Sequence, residues 1–120
     1  MQNAVWFISY KLVEGASVSD FLLAQEKCNN EVLSRKPGFV SWKALADGDT
    51  WVDLVTWDTM ENAQNAESSD ETNPAAQEFY SFIDASTLKH QCFSVEKSYY
   101  QYITSFKLKS MGSTMEETWN

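Results

Sequence analysis

Residues 37–59 read PGFVSWKALADGDTWVDLVTWDT. Two β-rich runs, 39–46 and Thr50–Trp57, flank Asp47-Gly48-Asp49. Asp-Gly between such runs signals a hairpin, because a tight primed turn needs residues that tolerate positive φ. In the second run, alternation sets Trp51, Asp53, Val55 and Trp57 on one face and Val52, Leu54 and Thr56 on the other. Pro37-Gly38 stops any helix that precedes the hairpin, and Thr59 is a natural cap for one that follows.

Upstream, Ala4–Leu12 is rich in β-formers (Val5, Trp6, Phe7, Ile8, Tyr10) with apolar residues on both faces, as in a central strand. Glu14-Gly15-Ala16 breaks it. From Ser17 the period changes: Val18, Phe21, Leu22, Cys28, Val32 and Leu33 recur at helical spacing. Ser17 caps, Asp20 suits the positive end of the dipole, and Arg35 and Lys36 suit the negative end, which predicts a helix of about sixteen residues. Downstream, Met60, Ala63 and Ala66 mark a second helix, and 68–73 is a polar break. Asn73-Pro74 restarts a helix, since Asn caps and Pro is favoured at the first helical position. Its apolar stripe is Ala75, Phe79, Phe82 and Ile83, and a last strand is expected over 91–99, after Lys89-His90. The order is βαββαβ. It predicts an α+β, ferredoxin-like protomer: a four-stranded antiparallel sheet with its helices on one face.

At 120 residues this is one domain, expected over 1–106. Residues 107–120 carry scattered apolar side chains and are expected to form a tail, mobile or docked on a partner subunit through Met111, Met115 or Trp119. Seventeen acidic against nine basic residues give a net charge of −8. Such a surface repels nucleic acid and anionic lipid. No run approaches a membrane span, and no secretory leader pattern is present, so a cytoplasmic protein is expected. Cys28 and Cys92 have no metal-type spacing and are expected as reduced, buried apolar side chains. No phosphate loop, nucleophile elbow or zinc spacing occurs, so no metal and no cofactor is expected.

Both faces of several strands carry large apolar groups, among them Trp6, Ile8, Tyr10, Trp51, Val55, Trp57, Phe93 and Val95. A soluble monomer exposes few patches of that size. Two sheets packed face to face in a homodimer would cover them.

Pro37-Gly38-Phe39-Val40, the Asp-Gly hairpin, the strand Thr50–Trp57 with Asp58, and the helix start Thr59-Met60-Glu61-Asn62-Ala63 resemble the dimeric α+β-barrel superfamily. More narrowly, they resemble its antibiotic-biosynthesis-monooxygenase-like (ABM) domains, over about residues 4 to 99. The resemblance implies paired sheets and a cavity between each sheet and its helices. It also implies activities ranging from cofactor-free oxidation of polycyclic phenols to haem degradation, and none can be chosen from fold alone. In the phenol-oxidising members a Trp at the place of Trp57 helps bind the substrate. An Asn stands four residues before it and a Tyr six after; here those places hold Asp53 and Ala63. In the haem-degrading members a helix Trp falls near Ala66 and an iron-ligating His follows, whereas no His occurs between Ala66 and Lys89.

The candidate catalytic residues are Asp53 and His90, and the candidate ligand-binding residues are Trp57, Tyr10, Trp6 and Trp42. A carboxylate held among aromatics has a raised pKa and suits a general base. Removing a phenolic or enolic proton is the step that precedes oxygen attack in a cofactor-free oxygenase. The plainer alternatives pair Asp53 with Lys43 or another cation across the hairpin, or turn it to water near an edge. His90, the one His, could relay protons or simply tie down a loop. Trp57, Trp6, Trp42 and Tyr10 could wall a cavity that binds a small aromatic or apolar molecule. Each could equally be core.

Overall fold

The computed structural model describes residues 3–69 and 72–101. The expected tail, 107–120, lies outside them. The chain runs β1 (Ala4–Leu12), α1 (Val18–Glu31), a 3-10 turn (Leu33–Arg35), β2 (Phe39–Asp47), β3 (Thr50–Trp57), α2 (Met60–Ser68), α3 (Pro74–Ser81) and β4 (Ile83–Ser94). Every strand pair is antiparallel, in the order β2-β3-β1-β4. This is the α+β, ferredoxin-like arrangement expected from the element order.

The helix starts follow the caps. Ser17 Oγ accepts from Asp20 N–H at 3.2 Å, Thr59 Oγ1 from Asn62 N–H at 3.1 Å, and Asn73 Oδ1 from Ala75 N–H at 2.8 Å. Each bond satisfies one of the orphan donors at a helix N-terminus. α1 stops at Glu31, earlier than its apolar period suggests, and Leu33–Arg35 tightens into the 3-10 turn. Gly38 then takes φ +84°, and a Cβ there would overlap the side chains of Asp58 and Asn62. Its carbonyl accepts from Asp58 N–H at 2.8 Å, which fastens the start of β2 to the end of β3. In the hairpin only Gly48 has positive φ (62°), so the turn follows the II′ pattern with Gly first.

β4 departs from expectation at both ends. Ile83 begins the strand opposite Leu12, because pairing with β1 outweighs continuation of the helical stripe. The far end stops at Ser94 because its partner β1 starts at Ala4, and Val95 N–H donates the last ladder bond to Asn3. The described residues after it, 96–101, form no strand. His90 therefore sits inside β4, opposite Ile8, and not ahead of it.

One face of the sheet meets the helices and carries the core: Ala4, Trp6, Tyr10, Val55 and Trp57, packed on Phe21, Cys28, Ala63, Ala76 and Phe79. Most aromatics that suggested a two-faced sheet thus share this single face, with Ile8 and Trp51 beside them. The opposite face is smaller in apolar content. By register it holds Val5, Phe7, Val52, Leu54, Leu45 and Phe93, interleaved with Ser9, Lys43, Thr56 and Gln91. Cys28 is buried, Cys92 is half-buried with its thiol on Met60 Sδ at 3.6 Å, and neither forms a disulfide. Among the described residues no helix is long and apolar enough to cross a membrane.

Candidate functional site

Alternation along β3 turns Asp53 towards the helices, where it is 2% exposed. Its neighbours across the sheet are Ile8 on β1 and Ala44 on β2, while Lys43 stands opposite Leu54 and so faces the other way. Pairing with Lys43 is thereby ruled out. The carboxylate is held by neutral groups. Tyr10 donates its O–H to Oδ2 at 2.8 Å, and Gln25 on α1 donates Nε2–H to Oδ1 at 3.2 Å. Burial without a cation disfavours the charge and pushes the Asp53 carboxyl up to about 6, against the opposing pull of the Tyr10 and Trp42 donors. The buried Trp42 indole N–H lies near enough to Asp53 to favour its charge but does not reach hydrogen-bond geometry with it. Tyr10 is itself buried, and burial followed by the Asp53 charge holds its hydroxyl far above the ordinary range. It therefore stays a proton donor to Asp53 at all ordinary pH.

A cleft of about 410 Å³ opens onto this pair. Its floor is the helix face of β1 and β4, with Trp6, Ile8, Tyr10 and His90, and Asp53 reaches it from β3. Leu33, Phe79 and Leu88 supply apolar wall. Lys36, Glu67 and Ser69 also border it, and the Lys36 ammonium donates to Ser69 Oγ at 3.1 Å. β4 is irregular here: Ser9 pairs with Lys89 but Lys11 pairs with Asp84, so 85–88 stand opposite Tyr10 alone and form a bulge beside the cleft. Bulges recur beside functional sites because they re-aim side chains without ending the strand. Ser86 N–H and Oγ both donate to Asp84 Oδ1, and Thr87 Oγ1 donates to the Asp84 carbonyl and accepts from Lys11 N–H, which fixes the bulge.

Four of the six residues expected at a site share this cleft: Asp53, His90, Tyr10 and Trp6. His90 and Asp53 occupy one cross-strand row with Ile8 between them. Two strand spacings put their backbones roughly 10 Å apart, with the Ile8 side chain on the same face between them. The His90 ring stands on edge to Trp6 at 5.1 Å. Trp57 and Trp42 do not line the cleft. Trp57 is fully buried under Trp6 (4.8 Å between rings) and against Phe39, because its place at the end of β3 lies beneath α2. Trp42 packs edge-on against Phe79 at 5.4 Å. Gln25 was missed. The signal was present, since it falls on the buried stripe Phe21, Ala24, Cys28 as a lone polar side chain. Among the described residues no group of three or more His, Cys, Asp or Glu side chains comes together as a metal site.

The chain shares its fold with solved structures described as antibiotic biosynthesis monooxygenases, and its cleft lies between sheet and helices. Among solved structures it is similar to SnoaB, a cofactor-independent oxygenase from Streptomyces nogalater. That match has TM-score 0.64 and 15% identity, over 82% of this chain and 97% of that one. It is also similar to a candidate antibiotic biosynthesis monooxygenase from Bacillus cereus (TM-score 0.58, 15% identity, 84% and 100% covered). A dimeric, ferredoxin-like protein of unknown function from Bacteroides fragilis matches at TM-score 0.54 and 10% identity, over 78% and 96%. At such identities the likeness is one of fold. No protein-family model matches the chain, and no curated protein matches its sequence.

Proposed function

We propose that the protein is a cytoplasmic homodimer that binds a small, electron-rich aromatic molecule in the cleft of each protomer. Asp53 takes a phenolic or enolic proton from that ligand, and Trp6 and Phe79 enclose its ring. His90, across the cleft, receives or supplies a second proton. The observation that carries the reading is a nearly inaccessible carboxylate, without a cation, on the wall of an apolar cleft. Burying a charge there is costly, and function is a common reason to keep one. Once the ligand is an anion, its electron-rich carbon can reduce dioxygen directly and form a hydroperoxide. Loss of water from that hydroperoxide leaves a carbonyl. The likeness to SnoaB, described as a cofactor-independent oxygenase, supports this direction.

The open sheet face supports the homodimer, as does the likeness to a structure described as dimeric. A second reading is a binding protein that performs no chemistry. Ala63, in place of the Tyr that the resemblance calls for, favours it. Oxygen uptake with 1,8-dihydroxyanthrone separates the two. Uptake in the wild type that is lost in Asp53→Asn supports the enzyme. Saturable quenching of Trp fluorescence without uptake leaves the binding protein, and no quenching overturns both.

A further inference from the structure

We propose that Tyr10, not Asp53, is the residue that touches the ligand's hydroxyl, and that Tyr10 and Asp53 form a two-proton relay positioned by Gln25. The proposal rests on the reading of the cleft as a site for phenolic or enolic ligands.

The direction of the hydrogen bonds carries it. Tyr10 lines the cleft and is 1% exposed, and its one O–H is given to Asp53 Oδ2 at 2.8 Å. A phenol oxygen has one donor and two acceptor lone pairs. With its donor committed inward, Tyr10 meets a ligand only as an acceptor, so the ligand must supply an O–H. A donor chain results: ligand O–H to Tyr10 oxygen, Tyr10 O–H to Asp53 Oδ2. When the ligand O–H bond breaks, its proton bonds to the Tyr10 oxygen as the original Tyr10 proton passes to Oδ2. Tyr10 ends unchanged, Asp53 ends neutral and the ligand carries the negative charge. No electron acceptor is needed for this step.

Gln25 fits the part of a positioning residue. Its Nε2–H holds Oδ1 at 3.2 Å, which leaves Oδ2 turned to Tyr10, and its amide also favours negative charge on the Tyr10 oxygen. Being neutral, it orients the carboxylate without locking it in the ionised form, as an Arg or Lys would. The other titratable groups on the cleft are Lys36 from the turn after α1, Glu67 from α2, Tyr80 from α3 and His90 from β4, and none of them hydrogen-bonds Asp53.

The probe is 4-nitrophenol, whose anion is yellow and whose neutral form is not. It is titrated near pH 6, where the free compound is still mostly neutral and the Asp53 carboxyl is partly ionised, and the anion band is read at saturation, so that affinity drops out. The wild type is expected to bind it with a clear anion band. Tyr10→Phe and Asp53→Asn should each cut that band about tenfold, and the double variant no further than either single one, the mark of two groups acting as a unit. Gln25→Met, a milder change at a half-buried position, should bind equally well with a band about threefold weaker. A band retained in Tyr10→Phe but lost in Asp53→Asn would show that Asp53 takes the proton directly; the relay would fall while the binding reading stood. An unchanged band in Gln25→Met would remove the positioning role. No saturable binding to the wild type would overturn the reading of the cleft, and the relay with it.

Discussion

Tyr10 on β1 and Asp53 on β3, 43 positions apart in the chain, are joined by a 2.8 Å hydrogen bond from the phenol to the carboxylate. They sit on a diagonal of the antiparallel pair, since Ile8 is the direct partner of Asp53 and Trp51 that of Tyr10. Diagonal neighbours are within reach of long side chains. A central strand pair thus buries a polar couple in a face that is otherwise aromatic and aliphatic.

Stability should reflect that burial. With its folded pKa raised to about 6 from an ordinary value near 4, Asp53 stays protonated in the native state at pH values where the unfolded chain has released the proton. In that window the native state binds more protons, so unfolding free energy falls as pH rises. The loss begins near pH 4, is complete a little above pH 6, and is on the order of 2–3 kcal/mol. Asp53→Asn should remove it. Urea unfolding of both proteins between pH 4 and pH 8 should show curves that converge at the acid end, with the variant gaining on the wild type towards neutrality. A constant difference across the range would refute the assigned ionisation.

Trp57 and Trp6 should separate core from site. Trp57 is fully buried and stacks beneath Trp6 at 4.8 Å, whereas Trp6 lines the cleft. Trp57→Ala should cost about 3–5 kcal/mol, the usual loss for deleting a large buried aromatic. The milder Trp57→Phe should lower the melting temperature and leave the affinity for 4-nitrophenol within about twofold. Trp6→Phe should also lower the melting temperature, since Trp6 belongs to the core, but unlike Trp57→Phe it should weaken binding several-fold. The check is paired thermal melts and fluorescence titrations. Equal effects of both substitutions on binding would put Trp57 back at the site.

The fold was legible because its signals are local. Ser17, Thr59 and Asn73 cap the helices, and Gly38 and Gly48 adopt the positive φ that their turns demand. The ends of β4 were not legible, because they are set by where β1 begins and ends, a fact about the partner strand. Phe82 and Ile83 fit a helical stripe as well as a strand start, and only the pairing of Ile83 with Leu12 decides. For the site, alternation sufficed to turn Asp53 inward beside Trp57. It could not show that Trp57 lies under α2 while Trp6 meets the cleft, since both sit on the same face of the sheet. Gln25 needed the register of α1 against β3. A lone polar residue on an apolar stripe was its one local sign.

Gly38 should resist replacement more than its loop position suggests. At φ +84° any side chain is strained, and here a Cβ would also overlap Asp58 and Asn62, which are bonded to each other at 2.8 Å. Strain of about 1–3 kcal/mol adds to the cost of displacing that pair. Gly38→Ala should therefore lower the melting temperature by more than ten degrees or so for a domain of this size. Gly15→Ala is the control, since its φ of +78° is equally strained but open space surrounds it. Equal losses at the two sites would mean that the contact with Asp58 and Asn62 contributes nothing.

The open face of the sheet makes a separate prediction. Phe7, 37% exposed, lies at its centre with Leu54 on one side and Gln91 on the other, and Phe93, 50% exposed, sits one row away opposite Val5. If two copies pair through this face, a two-fold axis brings each substitution into the contact twice. Phe7→Lys would then set two ammonium groups in an apolar interface, a cost of several kcal/mol that a standard-sized contact cannot absorb. Sedimentation equilibrium should report twice the 13.7 kDa chain mass for the wild type and the single-chain mass for the variant. Phe7 is on the far side of the sheet from Tyr10 and Asp53, so a monomeric variant should still bind 4-nitrophenol if the cleft is complete within one protomer. A wild type that sediments as a monomer would refute the pairing, and a monomeric Phe7→Lys that no longer binds would show that the cleft depends on the second copy.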